Sequence, residues 1–363
     1  MSATPLLEVE HLRVYFPVRS GMLGRTRGSV QAVDDVTFSL AEGETLGLVG
    51  ESGCGKTTLA RTVLRLLTPT GGRIRYRGNE VTHLNQRGLR PFRAEVQMVF
   101  QDPQASLNPR KRVGQIVGAG LKLGDRPEGG TEERVRQLLA QVGLNPEHVN
   151  RFPHEFSGGQ RQRVGVARAL AVEPRLIVLD EPVSALDVSI QAQVVNLLDD
   201  LQDTFGLSYV FVAHDLSVVR HVSDRIAVMY LGKVVEVSPA EELYTRPVHP
   251  YTASLLNAIP IPDPRRNRSR ERHVLEGELP SPIDPPAGCR FHTRCAYATE
   301  LCRTVEPPLT EYPGGHLAAC HHPRNVGPAD LAAATRSPAS PEAAGADTPS
   351  SDEADLGNAQ WAP

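Results

Sequence analysis

The chain has little of several things that would narrow its role at once. Formal net charge is only −3 over 363 residues, so no whole-chain basic field draws it to nucleic acid or to an anionic membrane surface. No stretch approaches the roughly 18 consecutive apolar residues that a membrane-spanning helix needs. Met1 to Phe16 carries Glu8 and Glu10 where a signal peptide would have a basic segment and an apolar core. The expected location is the cytoplasmic side of a membrane at most, with any passage through it left to other chains. Cysteine is scarce, and no pair has the C-x₂-C spacing of common zinc knuckles. Large apolar residues are scarce from about Val326 to Pro363, a stretch rich in Ala, Pro, Ser, Asp and Glu, and residues 324–363 are expected to be a disordered tail. No long-period repeat is evident.

What is present is concentrated in a few motifs. Gly50-Glu51-Ser52-Gly53-Cys54-Gly55-Lys56-Thr57-Thr58 fits the phosphate-loop pattern G-x-x-x-x-G-K-[ST]. There, glycines turn backbone N–H groups inward around a triphosphate, the lysine neutralises β/γ oxygens and the first hydroxyl ligates Mg²⁺. Thr45-Leu46-Gly47-Leu48-Val49 reads as a buried parallel strand before the loop, and Thr58 to Leu67 has helical apolar spacing after it. Leu176-Ile177-Val178-Leu179 is a second fully apolar strand and ends in Asp180 and Glu181. One such carboxylate can hold Mg²⁺ while its neighbour activates water. Acidic pairs after strands are common, so this pair gains weight only beside the loop. Ser157 and Gln160 have the spacing of a capping box that opens an amphipathic helix running to Pro174.

With Phe156-Ser157-Gly158-Gly159-Gln160, the chain resembles the ABC ATPases, whose signature is Leu-Ser-Gly-Gly-Gln; phenylalanine in place of leucine keeps the first position apolar. The resemblance implies that Ser157, Gly158, Gly159 and Gln160 engage the γ-phosphate held by an opposite subunit, at a helix N-terminus. It also makes Gln101, after the strand Val96 to Phe100, the Q-loop residue that reaches Mg²⁺ beside Thr57 and Asp180. Asp187 in Ser184-Ala185-Leu186-Asp187 becomes the D-loop, His214 after Tyr209 to Ala213 the switch histidine, and Glu181 the catalytic carboxylate. A lone histidine is more often a surface or core residue, and only its place after the other motifs reverses that. Leu12 to Phe16 resembles the A-loop, where Phe16, favoured over Tyr15 by its spacing from Leu12, stacks on adenine.

The fold expected is α/β: a P-loop NTPase (RecA-like) core with an antiparallel β subdomain, a helical subdomain at about 102–165, and a small irregular C-terminal extension containing cysteines. Leu6 to Phe16 and Val30 to Leu40 supply the antiparallel strands, the latter through inward Val36, Phe38 and Leu40. Helices are expected over Glu132 to Val142 and Val188 to Phe205. The ATPase domain spans 1–245 and the extension 246–323.

The proline-rich run Arg246 to Thr252, with Leu255, Leu256 and Ala258-Ile259-Pro260, resembles the extension of oligopeptide, dipeptide and nickel importer ATPases. Cys54 reads as a small filler within the phosphate loop. Cys289, Cys295, Cys302 and Cys320 crowd one segment, and in a reducing compartment four clustered thiols argue for a metal rather than disulfides. Their surroundings resemble the cluster-bearing tail of the peptide-importer ATPases, which implies a [4Fe–4S] cluster, with zinc the alternative. Because these cysteines follow the ATPase motifs at long sequence distance, they are expected to leave nucleotide binding largely untouched.

The function implied is ATP hydrolysis, with Mg²⁺, driving import of di- or oligopeptides, or alternatively of nickel or another small solute. The partners implied are a paralogous ATPase forming a heterodimer, two transmembrane permease subunits and an extracytoplasmic solute-binding protein, with no nucleic acid. An ABC ATPase of DNA or translation would carry a fused second half or a long coiled coil, and neither is in the sequence. A non-catalytic regulatory subunit would have lost Lys56, Glu181 or His214, and all three are present.

Overall fold

The computed structural model describes residues 4–20, 25–102, 106–122, 130–259 and 277–336. Leu7–Ser20 (β1) and Arg25–Leu40 (β2) pair antiparallel, with Leu7 opposite Leu40 and Phe16 opposite Val30. On β2 the inward residues Val36, Phe38 and Leu40 are buried in period-two alternation, while on β1 an irregularity at His11 (φ +48°) resets the phase, so that Leu7 and Val9 before it and Leu12 and Val14 after it are all buried. Thr45–Val49 (β3) leaves this layer for a second sheet, while Gly71–Tyr76 (β4) and Asn79–Glu80 (β5) complete a four-stranded sheet ordered β2-β1-β4-β5.

The second sheet is built on five parallel strands. Val96–Val99 (β6), Leu176–Asp180 (β7), Ser208–Val212 (β8), β3 and Arg225–Tyr230 (β9) lie side by side in that order. Every residue of β3, β7 and β8 is buried. That is why these strands read as unbroken apolar runs rather than alternating ones: helices cover both faces. Lys56–Val63 (α1) follows β3 directly. Helix Thr131–Gln141 presents Val135, Leu138 and Leu139 inward, and helix Val188–Phe205 presents Val194, Leu198 and Leu201. The helix after the signature stops at Leu170, short of Pro174. Within the expected helical subdomain, residues 103–105 and 123–129 lie outside the described residues. Among the described residues no helix is long and apolar enough to cross a membrane.

The C-terminal extension continues the main sheet. Lys233–Pro239 (β10) returns antiparallel to β9; His316–Ala318 pairs with β10, and Thr310–Tyr312 with His316–Ala318. A buried carboxylate sets this join. Glu236 of β10, fully buried, accepts the amides of Val248 (2.7 Å) and His249 (3.0 Å) and pairs with His316 Nε2 at 2.6 Å. A fixed acceptor for three donors from two distant segments holds them in one place, since leaving any of these groups unpaired in the interior is costly. Of the stretch expected to be a disordered tail, Pro328–Ala333 forms a helix and Thr335–Arg336 pairs with Thr310–Tyr312; residues 337–363 lie outside the described residues.

Candidate functional site

The parallel strands deliver their functional residues to one edge. In register, Leu48 and Asp180 both stand beside Val212, and Val99 stands beside Leu179. The chain therefore leaves β3 into the phosphate loop, β7 into Glu181, β8 into His214 and β6 into Gln101 along the same carboxyl edge, where ligands of open α/β sheets bind.

Glycine at two loop positions is obligatory. Gly55 precedes α1 with φ +107°, and a Cβ there would collide with the Ala32 carbonyl; a Cβ on Gly50 would collide with that of Met229. No side chain caps α1, so its first amides are left for a ligand. Lys56 is 4% exposed and lies back along the loop, its Nζ donating to the carbonyls of Gly50 (2.8 Å) and Glu51 (3.0 Å). Cys54 packs into the core and burial pushes its thiol pKa up, a filler's behaviour. Ser52 and Gly53 are exposed at the loop's tip, with Thr57 and Thr58 half-buried on the first turn of α1.

Thr57 Oγ1 donates to Asp180 Oδ1 at 3.0 Å, and Asp180 Oδ2 is buried without a partner. Burial raises the Asp180 pKa, opposed by the Thr57 hydrogen bond and by the charges of Arg61 and Lys56. An orphaned, desolvated carboxylate oxygen next to a hydroxyl is a donor set that fits a small oxygen-preferring divalent cation.

Glu181 sits just beyond. Its backbone is held in the left-handed region (φ +46°), with its amide bonded to Val212 O at 2.9 Å. An uncommon conformation of this kind survives because neighbours fix it. Its carboxylate accepts from Gln101 Nε2 at 2.7 Å and lies 3.5 Å from His214 Nδ1, while His214 remains 55% exposed. Gln101, Glu181 and His214 thus meet at one oxygen.

The signature is elsewhere. Ser157 and Gln160 form the reciprocal capping box, each side chain taking the other's amide (3.3 and 3.0 Å). Phe156 is buried edge-on against His148. Gly159 lies so close to Ile190 that a Cβ would overlap its methyl, and Gly158 faces Leu186. Asp187, exposed, begins helix Val188–Phe205. The signature is therefore packed on the D-loop, and no hydrogen bond among the described residues joins it to its own phosphate loop. At the other end, Tyr15 and Phe16 separate: the Tyr15 hydroxyl donates to Asp34, and burial with that contact pushes its pKa up to about 12, while Phe16 is 40% exposed.

The ABC transporter family matches residues 33–184, and a second family, the oligopeptide/dipeptide transporter C-terminal region, matches 235–302. The oligopeptide transport ATP-binding protein AppF of Bacillus subtilis is 54% identical over 318 residues, 87% of this chain and 97% of its own. A probable peptide ABC transporter ATP-binding protein of Sinorhizobium fredii is 50% identical, covering 87% of this chain and 89% of its own. Among solved structures, cbiO1 of Clostridium perfringens aligns with a TM-score of 0.57 at 28% identity, over 67% of this chain and 91% of its own. The ATP-binding cassette MJ0796, a dimer bound to ADP and phosphate, gives 0.57 at 27%, over 64% and 98%. The chain is an ABC transporter ATPase. Its second match places it with the ABC ATPases that carry the oligopeptide/dipeptide-type extension.

The cysteines of this ABC ATPase share a neighbourhood without forming a complete ligand set. Burial pushes the thiol pKa of Cys289 up to about 11 and of Cys320 up to about 12, and the Cys320 thiol is raised further by Cys289, Cys295 and Cys302. Cys302 O accepts the Cys289 amide at 2.8 Å. Among the described residues, however, no three His, Cys, Asp or Glu side chains are arranged to hold a metal ion. The side-chain geometry gives the expected cluster no direct support. The nearby histidines are occupied elsewhere: His292 contacts Cys289 O, His316 Glu236, His321 Val305 O and His322 Thr299.

Sequence reasoning missed three residues of the extension that hold the phosphate loop, two directly and one through the turn at Leu231–Gly232, whose second amide bonds Cys54 O. Arg294 holds the Glu51 carboxylate through both guanidinium nitrogens (2.7 and 3.1 Å), Tyr251 OH accepts the Glu51 amide (2.9 Å), and Arg290 donates to Leu231 O (2.5 Å). The only sequence signal was two arginines in an otherwise irregular segment between two cysteines.

Proposed function

We propose that this ABC ATPase energises uptake of di- or oligopeptides, working on the cytoplasmic face of the cell membrane beside two permease subunits and a paralogous ATPase, with an extracytoplasmic solute-binding protein delivering cargo. The observation that carries the cargo class is the oligopeptide/dipeptide-type extension on a chain whose reported relatives are named for peptides. Those names favour peptide over nickel.

In this reading Phe16 stacks on adenine, because its ring is free where that of Tyr15 is tied to Asp34. The loop amides at Gly53, Cys54 and Gly55 and the start of α1 wrap the phosphates, and Lys56 exchanges the Gly50 and Glu51 carbonyls for β/γ oxygens. Thr57, Asp180 and Gln101 hold Mg²⁺, which supplies charge neutralisation of the phosphate oxygens. Glu181 accepts a proton from the attacking water, with Gln101 fixing its carboxylate and His214 registering the γ-phosphate. Ser157, Gly158, Gly159 and Gln160, packed on the D-loop rather than bonded to their own phosphate loop, serve the nucleotide of the partner ATPase, with Asp187 beside them. Pairing thereby completes two composite sites. The four cysteines would hold a [4Fe–4S] cluster, or alternatively zinc, a reading that rests on their crowding between Cys289 and Cys320. The ATPase domain ends near residue 245 and the extension near 323.

Reconstitution tests this function: the chain, its companion ATPase and the two permeases in vesicles, with the solute-binding protein supplied outside. Peptide should be taken up and should stimulate ATP hydrolysis, while nickel should do neither. Nickel-dependent stimulation without peptide uptake would assign the alternative cargo.

A further inference from the structure

The interval from Cys289 to Cys295 reaches the phosphate loop by two routes. On one, Arg294 forks onto both oxygens of Glu51, the second residue of the loop, and its side chain is 6% exposed. Glu51 is gripped again at its amide by Tyr251, and its carbonyl receives Lys56 Nζ. On the other, Arg290 donates to Leu231 O (2.5 Å) and Gln31 Oε1 (2.6 Å) and pairs with Asp34. The next residue in that turn, Gly232, donates its amide to Cys54 O at 2.9 Å. Phe291, between the two arginines, packs against Tyr230 and Tyr251 with ring centroids 5.3 Å apart in each case. Asp34 also holds Tyr15, next to Phe16.

We propose that the Cys289–Cys295 loop is a positioning element of the nucleotide site, with Arg294 fixing the phosphate loop through Glu51 and neutralising its carboxylate. The inference rests on the assignment of that loop to ATP. A planar guanidinium fork fixes orientation as well as charge, which a lysine does not reproduce. Without it, a bare carboxylate stands on a loop that must receive a triphosphate, and Lys56 loses the ordered Glu51 carbonyl that orients it. Neither arginine touches substrate in this account. Both act through the loop, so binding should suffer more than the chemical step.

Equilibrium titration of the full chain with ATP and Mg²⁺, together with steady-state kinetics of the assembled transporter, tests this. Arg294→Gln should raise the Kd and KM for ATP about tenfold, with turnover at saturating ATP within about twofold of wild type, and Arg294→Lys should recover only part of the loss. The double variant Arg294→Gln/Glu51→Gln should bind better than Arg294→Gln alone, because it removes the stranded charge; such non-additivity marks direct coupling. Should Arg294→Gln fail to fold, Arg294→Lys carries the test alone, with an intermediate Kd at unchanged turnover. Wild-type Kd in whichever Arg294 variant folds, or strictly additive losses in the double variant, would overturn the inference. A Lys56→Ala control separates the two readings. If it abolishes binding while the Arg294 variants bind normally, only the positioning role falls; if Lys56→Ala binds ATP normally, the assignment of the loop to ATP falls with it.

Discussion

Gln101, Glu181 and His214 are placed by strand ends: three parallel strands stop at one edge, and the backbone that follows them brings the three side chains to one carboxylate oxygen. From residue 277 to Thr299 the chain has no such frame. It is placed by charged and aromatic side chains, namely Arg290 on Asp34, Arg294 on Glu51, Phe291 on Tyr230 and Tyr251, with the buried Glu236–His316 pair nearby. The first region is fixed by backbone hydrogen bonding over a periodic apolar core and would tolerate loss of a polar side chain structurally while losing chemistry. The second is fixed by the polar side chains themselves, so their loss is structural first. The contrast predicts different failures for conservative substitutions in the two places.

The largest effect is expected at the strand ends. Glu181→Gln keeps the size of the side chain and can still bond Gln101, so the fold and ATP binding should survive while turnover in the assembled complex falls about 10²–10⁴-fold. Single-turnover hydrolysis beside nucleotide binding checks both halves. Wild-type turnover in this variant would remove Glu181 from the role of base and leave the strand-end region without its chemical distinction.

Much of the first region could be read in the sequence because its physics is local. Apolar runs of β3, β7 and β8 announce strands buried on both faces, and Gly55 and Gly50 stand where any side chain would strike a carbonyl. The Ser157–Gln160 spacing gives the capping box directly. The second region was hidden because its contacts join residues far apart. Nothing local to Arg294 points to Glu51, nothing local to Glu236 points to His316, and burial of a charge is invisible until the fold supplies its partner. The helix at Pro328–Ala333 was likewise hidden by a composition that builds no core of its own but packs on an existing sheet edge.

Metal content sharpens the comparison next. If the cysteine-bearing region is fixed by a cluster as well as by its side chains, anaerobically purified protein should contain about four irons per chain with broad visible absorbance. Cys295→Ser should lose the iron. One zinc and no iron would support the alternative. Neither metal would leave protonated thiols, which burial of Cys289 and Cys320 already favours, and the arginine and glutamate contacts would then hold the region unaided.

The smallest expected effect is a pH dependence carried by a histidine that packs against the second region. His249 is fully enclosed, beside Phe291 and near the Glu236 carboxylate that it shares with His316. Its Nδ1 accepts the Tyr251 amide, which requires the neutral ring. Burial pushes its pKa down to about 4, with Glu236 acting in the opposite direction. In the unfolded chain the same ring titrates near 6.5. Between those values the unfolded state binds a proton that the folded state refuses. The stability is therefore fully present above about pH 6.5, falls by up to about 1.4 kcal/mol per pH unit as pH drops towards 4, and changes no further below that. Urea unfolding of the extension, followed by proteolysis within it at several pH values, should show this slope in the wild type. His249→Asn keeps an acceptor for the Tyr251 amide but does not titrate, so it should flatten the slope without altering ATP turnover at pH 7.5. An unchanged slope in that variant would overturn the assignment of the acid sensitivity to His249.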